Sequence, residues 1–176
     1  MKILGLSGGV RQKSSNAALL RLAQSILSRH TWTVPRLAKL PYFDPDLQYS
    51  GRTPRVVTTL RRAAGDADLI LICTPEYAHG IPGILKNALE WMFCELTIKK
   101  PVAVIIGAAQ GEWVRKHLLD VLPTMDFACG EEDILMIQGA RSRISADGKA
   151  EPALEAEVHE FLSAMMLRLS QSSSGA

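Results

Sequence analysis

Cysteine is scarce in this 176-residue chain: Cys73, Cys94 and Cys129 are the only three, and they lie far apart. None forms a CxxC pair or a Cys/His spacing that holds zinc, so no metal site is assigned. An odd, scattered set of thiols suits a reducing compartment better than a disulfide framework. No apolar run approaches the ~20 residues of a membrane-spanning helix, and no charged leader precedes the first apolar segment. These absences predict a cytoplasmic protein with no membrane partner. Charge of one sign is also lacking. The formal net charge is +2, too small for the concentrated basic face that nucleic acid requires. Two nucleotide motifs are missing as well. G-x-x-x-x-G-K-[ST] does not occur, and Gly5, Gly8 and Gly9 do not have the spacing of G-x-G-x-x-G. No Ser/His/Asp or Cys/His set stands out by spacing, so no catalytic side chain is assigned.

What is present is alternation. A chain of this length fits one domain that buries roughly 70% of its unfolded surface. Short apolar segments at 2–6, 68–73, 101–106 and 133–137 read as strands, and the β-branched and aromatic stretch 31–37 as another. Between them, apolar residues recur at helical spacing: Leu19, Leu20, Ala23, Ile26 and Leu27 within 16–29, and Leu85, Ala88, Leu89 and Met92 within 81–94. Further helices are expected from Thr53 or Thr58 to near Gly65, over 111–122, and along the stripe Leu154, Val158, Phe161, Leu162, Met165 and Leu169. Pro41, Asp44, Pro45, Asp46 and Gly51 mark residues 41–52 as a long loop. Alternating strands and helices predict an α/β fold of the flavodoxin-like kind. This is a three-layer, doubly wound sandwich around a five-stranded parallel sheet of order 2-1-3-4-5. Residues 1–169 form the expected domain; the small polar residues 170–176 read as a disordered tail.

In that strand order the ligand crevice lies outside the carboxyl ends of strands 1 and 3. Two glycine-bearing loops follow those strands. The first is Ser7-Gly8-Gly9-Val10-Arg11-Gln12-Lys13-Ser14-Ser15-Asn16. Its glycines permit a sharp turn, the following helix offers unpaired N–H groups, and Ser14, Ser15 and Asn16 add donors. Arg11 supplies a planar charged fork for phosphate oxygens. The same loop also reads as an ordinary strand-to-helix turn with a solvated Arg11. The second is Thr74-Pro75-Glu76-Tyr77-Ala78-His79-Gly80-Ile81-Pro82-Gly83. Its prolines stiffen it, and Tyr77 presents a flat face with a polar tip. Taken alone, it reads rather as a rigid helix entry with Tyr77 packed as ordinary core. A third loop, Gly107-Ala108-Ala109-Gln110-Gly111, follows strand 4 and could close over a ring or simply turn the chain.

The first loop resembles the phosphate loop G-S-x-R-x-x-S-x-N of NADPH-dependent FMN reductases. Residues 74–91 resemble that family's T-P-E-Y-N-x-S-x-P-G-x-L-K-N-A-x-D-W, and 40–47 its loop after strand 2. The resemblance implies bound FMN, with NADPH or NADH as cosubstrate and a flavin, quinone or similar small molecule as acceptor. It implies a homodimer or homotetramer. It also implies that Arg11, Ser14 and Asn16 hold the phosphate, with Gly9, Val10 and Ser15 beside them. Pro75, Glu76 and Tyr77 would border the isoalloxazine, with Ala78, His79, Gly80, Gly107, Gln110 and Gly111 around it. Three positions depart from the pattern: Gly9 stands in place of serine, Ala78 in place of asparagine, and Gly80 in place of serine. A flavodoxin-type electron carrier and a flavin-free phosphosugar- or nucleotide-binding domain are the competing readings. Tyr42, Phe43 and Trp91 are expected as apolar surface for self-association.

Overall fold

The computed structural model describes residues 1–11 and 13–174. Five strands, β1 (Lys2–Ser7), β2 (Thr31–Thr33), β3 (Leu69–Thr74), β4 (Val102–Ala108) and β5 (Ile134–Gln138), form one parallel sheet. Their order is β2-β1-β3-β4-β5, as the alternation predicts. Among the described residues six α-helices cover it: α1 (Ser15–Ile26), α2 (Pro45–Tyr49), α3 (Arg55–Asp66), α4 (Gly83–Met92), α5 (Glu112–Thr124) and α6 (Pro152–Ser174).

The strand period of two divides the core into two layers. Leu4, Leu6, Ile70, Ile72, Val104 and Ile106 point towards α3, α4 and α5. Ile3, Leu69, Leu71, Ala103 and Ile105 point towards α1 and α6. Every residue of β3 is buried, as a strand covered on both faces must be. Gly5 lets α1 pack close: a Cβ there would lie 3.1 Å from Leu20 Cδ1.

Four expectations change. β2 ends at Thr33 instead of 37, because Pro35 cannot donate to a ladder; the chain then takes a 3₁₀ turn at Leu37–Lys39. The loop 41–52 contains α2. Asp44 caps it by accepting from the N–H of Asp46 at 2.9 Å, and Pro45 fills the first turn. Trp91 is fully buried. Its indole N–H donates to Pro41 O at 2.9 Å, and Phe43 meets it edge-on at 5.1 Å. The indole has found partners inside, so Trp91 is core and not surface. The tail is helical through Ser174, since nothing before Gly175 breaks a helix; Gly175 and Ala176 lie outside the described residues.

Candidate functional site

The three glycine-bearing loops meet at the carboxyl edge of β1, β3 and β4, and each pair is tied by a specific contact. Loop 1 is anchored first to the end of β3, from which loop 2 springs: the N–H of Gly8 donates to Cys73 O at 2.8 Å. Only glycine fits there, because a Cβ would stand 2.2 Å from Thr74 Oγ1. One residue on, a Cβ at Gly9 would lie 3.9 Å from the Tyr77 hydroxyl and 4.0 Å from Pro75 Cγ. Gly9 therefore faces the second loop directly, with room for no more than an ordinary side-chain contact.

Loop 1 joins loop 3 through Asn16, which is buried in the first turn of α1. Its amide donates to Gly107 O at 2.9 Å and accepts from Gly107 N at 3.2 Å. Gly107 has no room for a side chain, since a Cβ would meet Leu19 Cδ1 at 2.7 Å. Loop 2 joins loop 3 through Glu76. One carboxylate oxygen accepts from the N–H of Trp113 at 3.1 Å and of Val114 at 3.0 Å. It thereby caps α5, whose own N-cap, Gly111, has no side chain and sits at φ 108°. The other oxygen lies 3.5 Å from His79 Nδ1. A carboxylate at a helix N-terminus also complements the macrodipole.

The tip of loop 2 is a tight turn. Tyr77 and Gly80 exchange backbone hydrogen bonds of 3.2 and 2.9 Å, with Ala78 at φ 47° and His79 at φ 56° between them. Two consecutive positive φ values define a type I′ turn, which prefers asparagine and glycine at its centre. Here alanine and histidine bear the left-handed conformation, at a cost of roughly 1–2 kcal/mol each. The turn is buttressed by α5: His79 meets Trp113 edge-on at 5.9 Å, and His117 Nδ1 lies 3.6 Å from where a Cβ on Gly80 would be. Tyr77 and Trp113 are both about half exposed, at 53% and 50%.

At the start of α1 the Ser14 hydroxyl accepts from Ala17 N–H at 3.2 Å. The N–H groups of Ser15 and Asn16 have no partner among the described residues, so the helix end is open to an anion. Val10 and Arg11 are exposed beside it. Gln110 is exposed on loop 3. A cavity of about 360 Å³ opens at loop 1, where Gly9, Val10 and Arg11 line it together with α1 and residues 34–38. The thiol of Cys73 lies beneath the site, and complete burial holds its pKa far above the ordinary range, so it is inert. Among the described residues no group of three His, Cys, Asp or Glu side chains converges to hold a metal. None of the helices there is long and apolar enough to cross a membrane.

Residues 1–141 match the family described as NADPH-dependent FMN reductase. The chain belongs to that family. Among this reductase-family member's relatives is a 2-hydroxy-1,4-benzoquinone reductase from a Burkholderia species. The two are 31% identical over 156 residues, 84% of each chain. A quinone reductase from Escherichia coli is 30% identical over 137 residues, covering 72% of this chain and 71% of that one. The solved structure of FerB, a flavoenzyme NAD(P)H:(acceptor) oxidoreductase from Paracoccus denitrificans, superposes with a TM-score of 0.84. It covers 97% of both chains at 22% identity, which speaks for a shared fold.

Sequence reasoning placed the three loops at one sheet edge but missed how they are joined. Asn16 and Glu76, taken as cofactor contacts, spend their polar atoms on Gly107 and α5. Trp113 and His117 were not singled out; their only sequence signal was a position one and five residues into a helix that follows a glycine loop.

Proposed function

We propose that this chain is an FMN-dependent NAD(P)H oxidoreductase whose acceptor is a quinone or a flavin. The observation that carries the reading is the convergence of loop 1 on loop 2, with Gly9 facing Tyr77 and Pro75 so closely that a Cβ there would touch both. An open helix end and a ring-bordering loop then stand side by side, as a phosphate joined to a flat heterocycle demands. When bound, FMN supplies the two-electron redox chemistry, and the protein supplies position, polarity and access.

The residues present fit that group. The free N–H groups of Ser15 and Asn16, the Ser14 hydroxyl and the Arg11 guanidinium would hold the phosphate. Each charge-assisted bond there is worth about 1.5–3 kcal/mol. Gly9 offers no side-chain donor but leaves the approach to Tyr77 clear. Pro75, Tyr77, Ala78, His79 and Gly80 would border the ring, with Gly107, Gln110 and Gly111 on its other flank. Ala78 and Gly80 carry no polar side-chain atom, so polar contacts at the ring edge come from main-chain groups. Asn16 and Glu76 act as positioning residues that fix loops 1, 2 and 3 relative to one another.

The protein works as a homo-oligomer in the cytoplasm on this reading. Support for self-association comes from Tyr42, exposed to 93%, and from the half-exposed Phe93, Leu96 and Ile98 in the short segment after α4. Static light scattering that gives a monomer mass overturns it. The activity itself is tested with purified protein loaded with FMN, NADPH and a benzoquinone. NADPH oxidation that requires both FMN and quinone is expected. FMN binding without NADPH oxidation indicates an electron carrier instead.

A further inference from the structure

We infer that Trp113, at the start of α5, selects the acceptor: its indole takes a planar fused-ring quinone in preference to a single-ring one. The inference rests on the reading of the chain as a quinone-reducing oxidoreductase and deepens it.

Trp113 lies outside the three loops that would hold the cofactor, in the first turn of α5. Loop 2 connects it to them. Tyr77 leans towards loop 1, its hydroxyl 3.9 Å from where a Cβ on Gly9 would be. His79, two residues on, instead meets the Trp113 ring edge-on at 5.9 Å. Loop 2 thus touches loop 1 with one aromatic ring and carries Trp113 beside the next. Both Tyr77 and Trp113 leave about half their surface to solvent.

Three features separate this indole from a stray surface aromatic. Its N–H is unspent: Trp32 donates to Leu27 O at 3.2 Å and Trp91 to Pro41 O at 2.9 Å, whereas Trp113 Nε1 has no partner among the described residues. Its backbone is fixed, because its own main-chain N–H donates to Glu76, a side chain only 10% exposed. Its ring neighbour is held in a costly conformation. His79 sits at φ 56°, and its Nδ1 lies 3.5 Å from the second oxygen of Glu76. Backbone strain of this kind persists at ligand clamps, where the surroundings enforce it. The indole therefore offers a firmly held flat face and one neutral donor. A quinone uses both, stacking its ring on the face while a carbonyl oxygen accepts from the N–H. A second fused ring enlarges the stacked area and leaves the carbonyl unchanged, so the preference follows.

The test is equilibrium dialysis of 2,3-dimethyl-1,4-naphthoquinone and of tetramethyl-1,4-benzoquinone against FMN-loaded protein without NADPH. The two probes are neutral, and their methyl groups block thiol addition. Wild type is expected to favour the naphthoquinone roughly fivefold. Trp113→Ala is expected to weaken it at least tenfold, about 1.4 kcal/mol, and to erase the preference. Trp113→Phe keeps a flat face and loses the N–H, so it should retain the preference at about threefold weaker binding. His79→Gly suits the left-handed position and removes only the ring; it should shrink the preference without lowering Tm. Leu167→Ala, at an exposed apolar position on α6, should change nothing. In turnover the Trp113→Ala effect appears in KM for the naphthoquinone, not in kcat. Four results overturn the inference: no preference in wild type, wild-type binding by Trp113→Ala, an equal loss in Leu167→Ala, or a changed mass of Trp113→Ala in light scattering, which would make the indole a subunit contact. Flavin absorbance and NADPH oxidation with the benzoquinone judge the oxidoreductase reading separately. A flavin-loaded, NADPH-oxidising protein with no Trp113 effect refutes the acceptor assignment alone.

Discussion

Replacing Glu76 isolates the work done by one carboxylate. Its side chain is only 10% exposed, so water cannot fully take over its two bonds to the N–H groups of Trp113 and Val114. Gly111 offers no substitute cap. Loss of a capping side chain costs about 1 kcal/mol and up to about 2, and loss of a negative charge at a helix N-terminus about 0.3–1 more. Glu76→Ala is therefore expected to destabilise by about 1.5–2.5 kcal/mol, which for a chain of this size lowers Tm by roughly 3–10 °C. Glu76→Gln keeps an oxygen acceptor and loses only the charge, so its drop is expected to be about 1–3 °C. Urea unfolding should show lower midpoints with an unchanged m-value. The measurement is made on the FMN-free protein, so that ligand binding does not enter. An Ala variant that melts within about 1 °C of wild type, or a Gln variant as damaged as the Ala variant, refutes the capping role.

Asn16→Ala leaves both polar groups of Gly107 unpaired in a buried position, and FMN-free stability should fall by about 2–4 kcal/mol; an Asn16→Ala protein as stable as wild type contradicts the loop-tying role. Ala78→Asn relieves a left-handed alanine and is expected to raise Tm by about 1–4 °C; a lower Tm argues against the strained turn. Arg11→Ala should weaken FMN at least tenfold, about 1.4 kcal/mol, in a fluorescence titration, and unchanged affinity removes Arg11 from the site. Burial first, with Asp133 and Glu132 adding to it, pushes the Cys129 thiol up to about 12. Neither Cys129 nor the buried Cys73 should therefore label with a thiol reagent at pH 8 until denaturant is added; rapid labelling of the native protein at either position contradicts this.

The strand order and the two-layer core were legible because buried parallel strands leave an unmistakable apolar run, and because amphipathic stripes at i, i+3 and i+4 separate them. The end of β2 was not, since Val34 is a good strand residue and the effect of Pro35 falls on a ladder the sequence does not display. α2 was hidden because Asp44-Pro45-Asp46 serves a turn and a helix cap equally well. At the site, the sequence names residues but not directions. Asn16 reads as a phosphate donor when only its neighbours are considered. Yet Gly107, 91 positions away, has a buried N–H and C=O that take both ends of its amide. Glu76 is the same case, diverted by a helix start that lacks its own cap. Trp91 was misjudged because its partners, Phe43 and Pro41, come from a distant segment.

Whether FMN occupies the space that Gly9 and Tyr77 face decides the account most directly. NMR or crystallography of the protein saturated with FMN would give the answer. The account predicts the phosphate at the N–H groups of Ser15 and Asn16 and the isoalloxazine against Pro75 and Tyr77. A cleft between Arg11 and Tyr77 still empty at saturating FMN would contradict it.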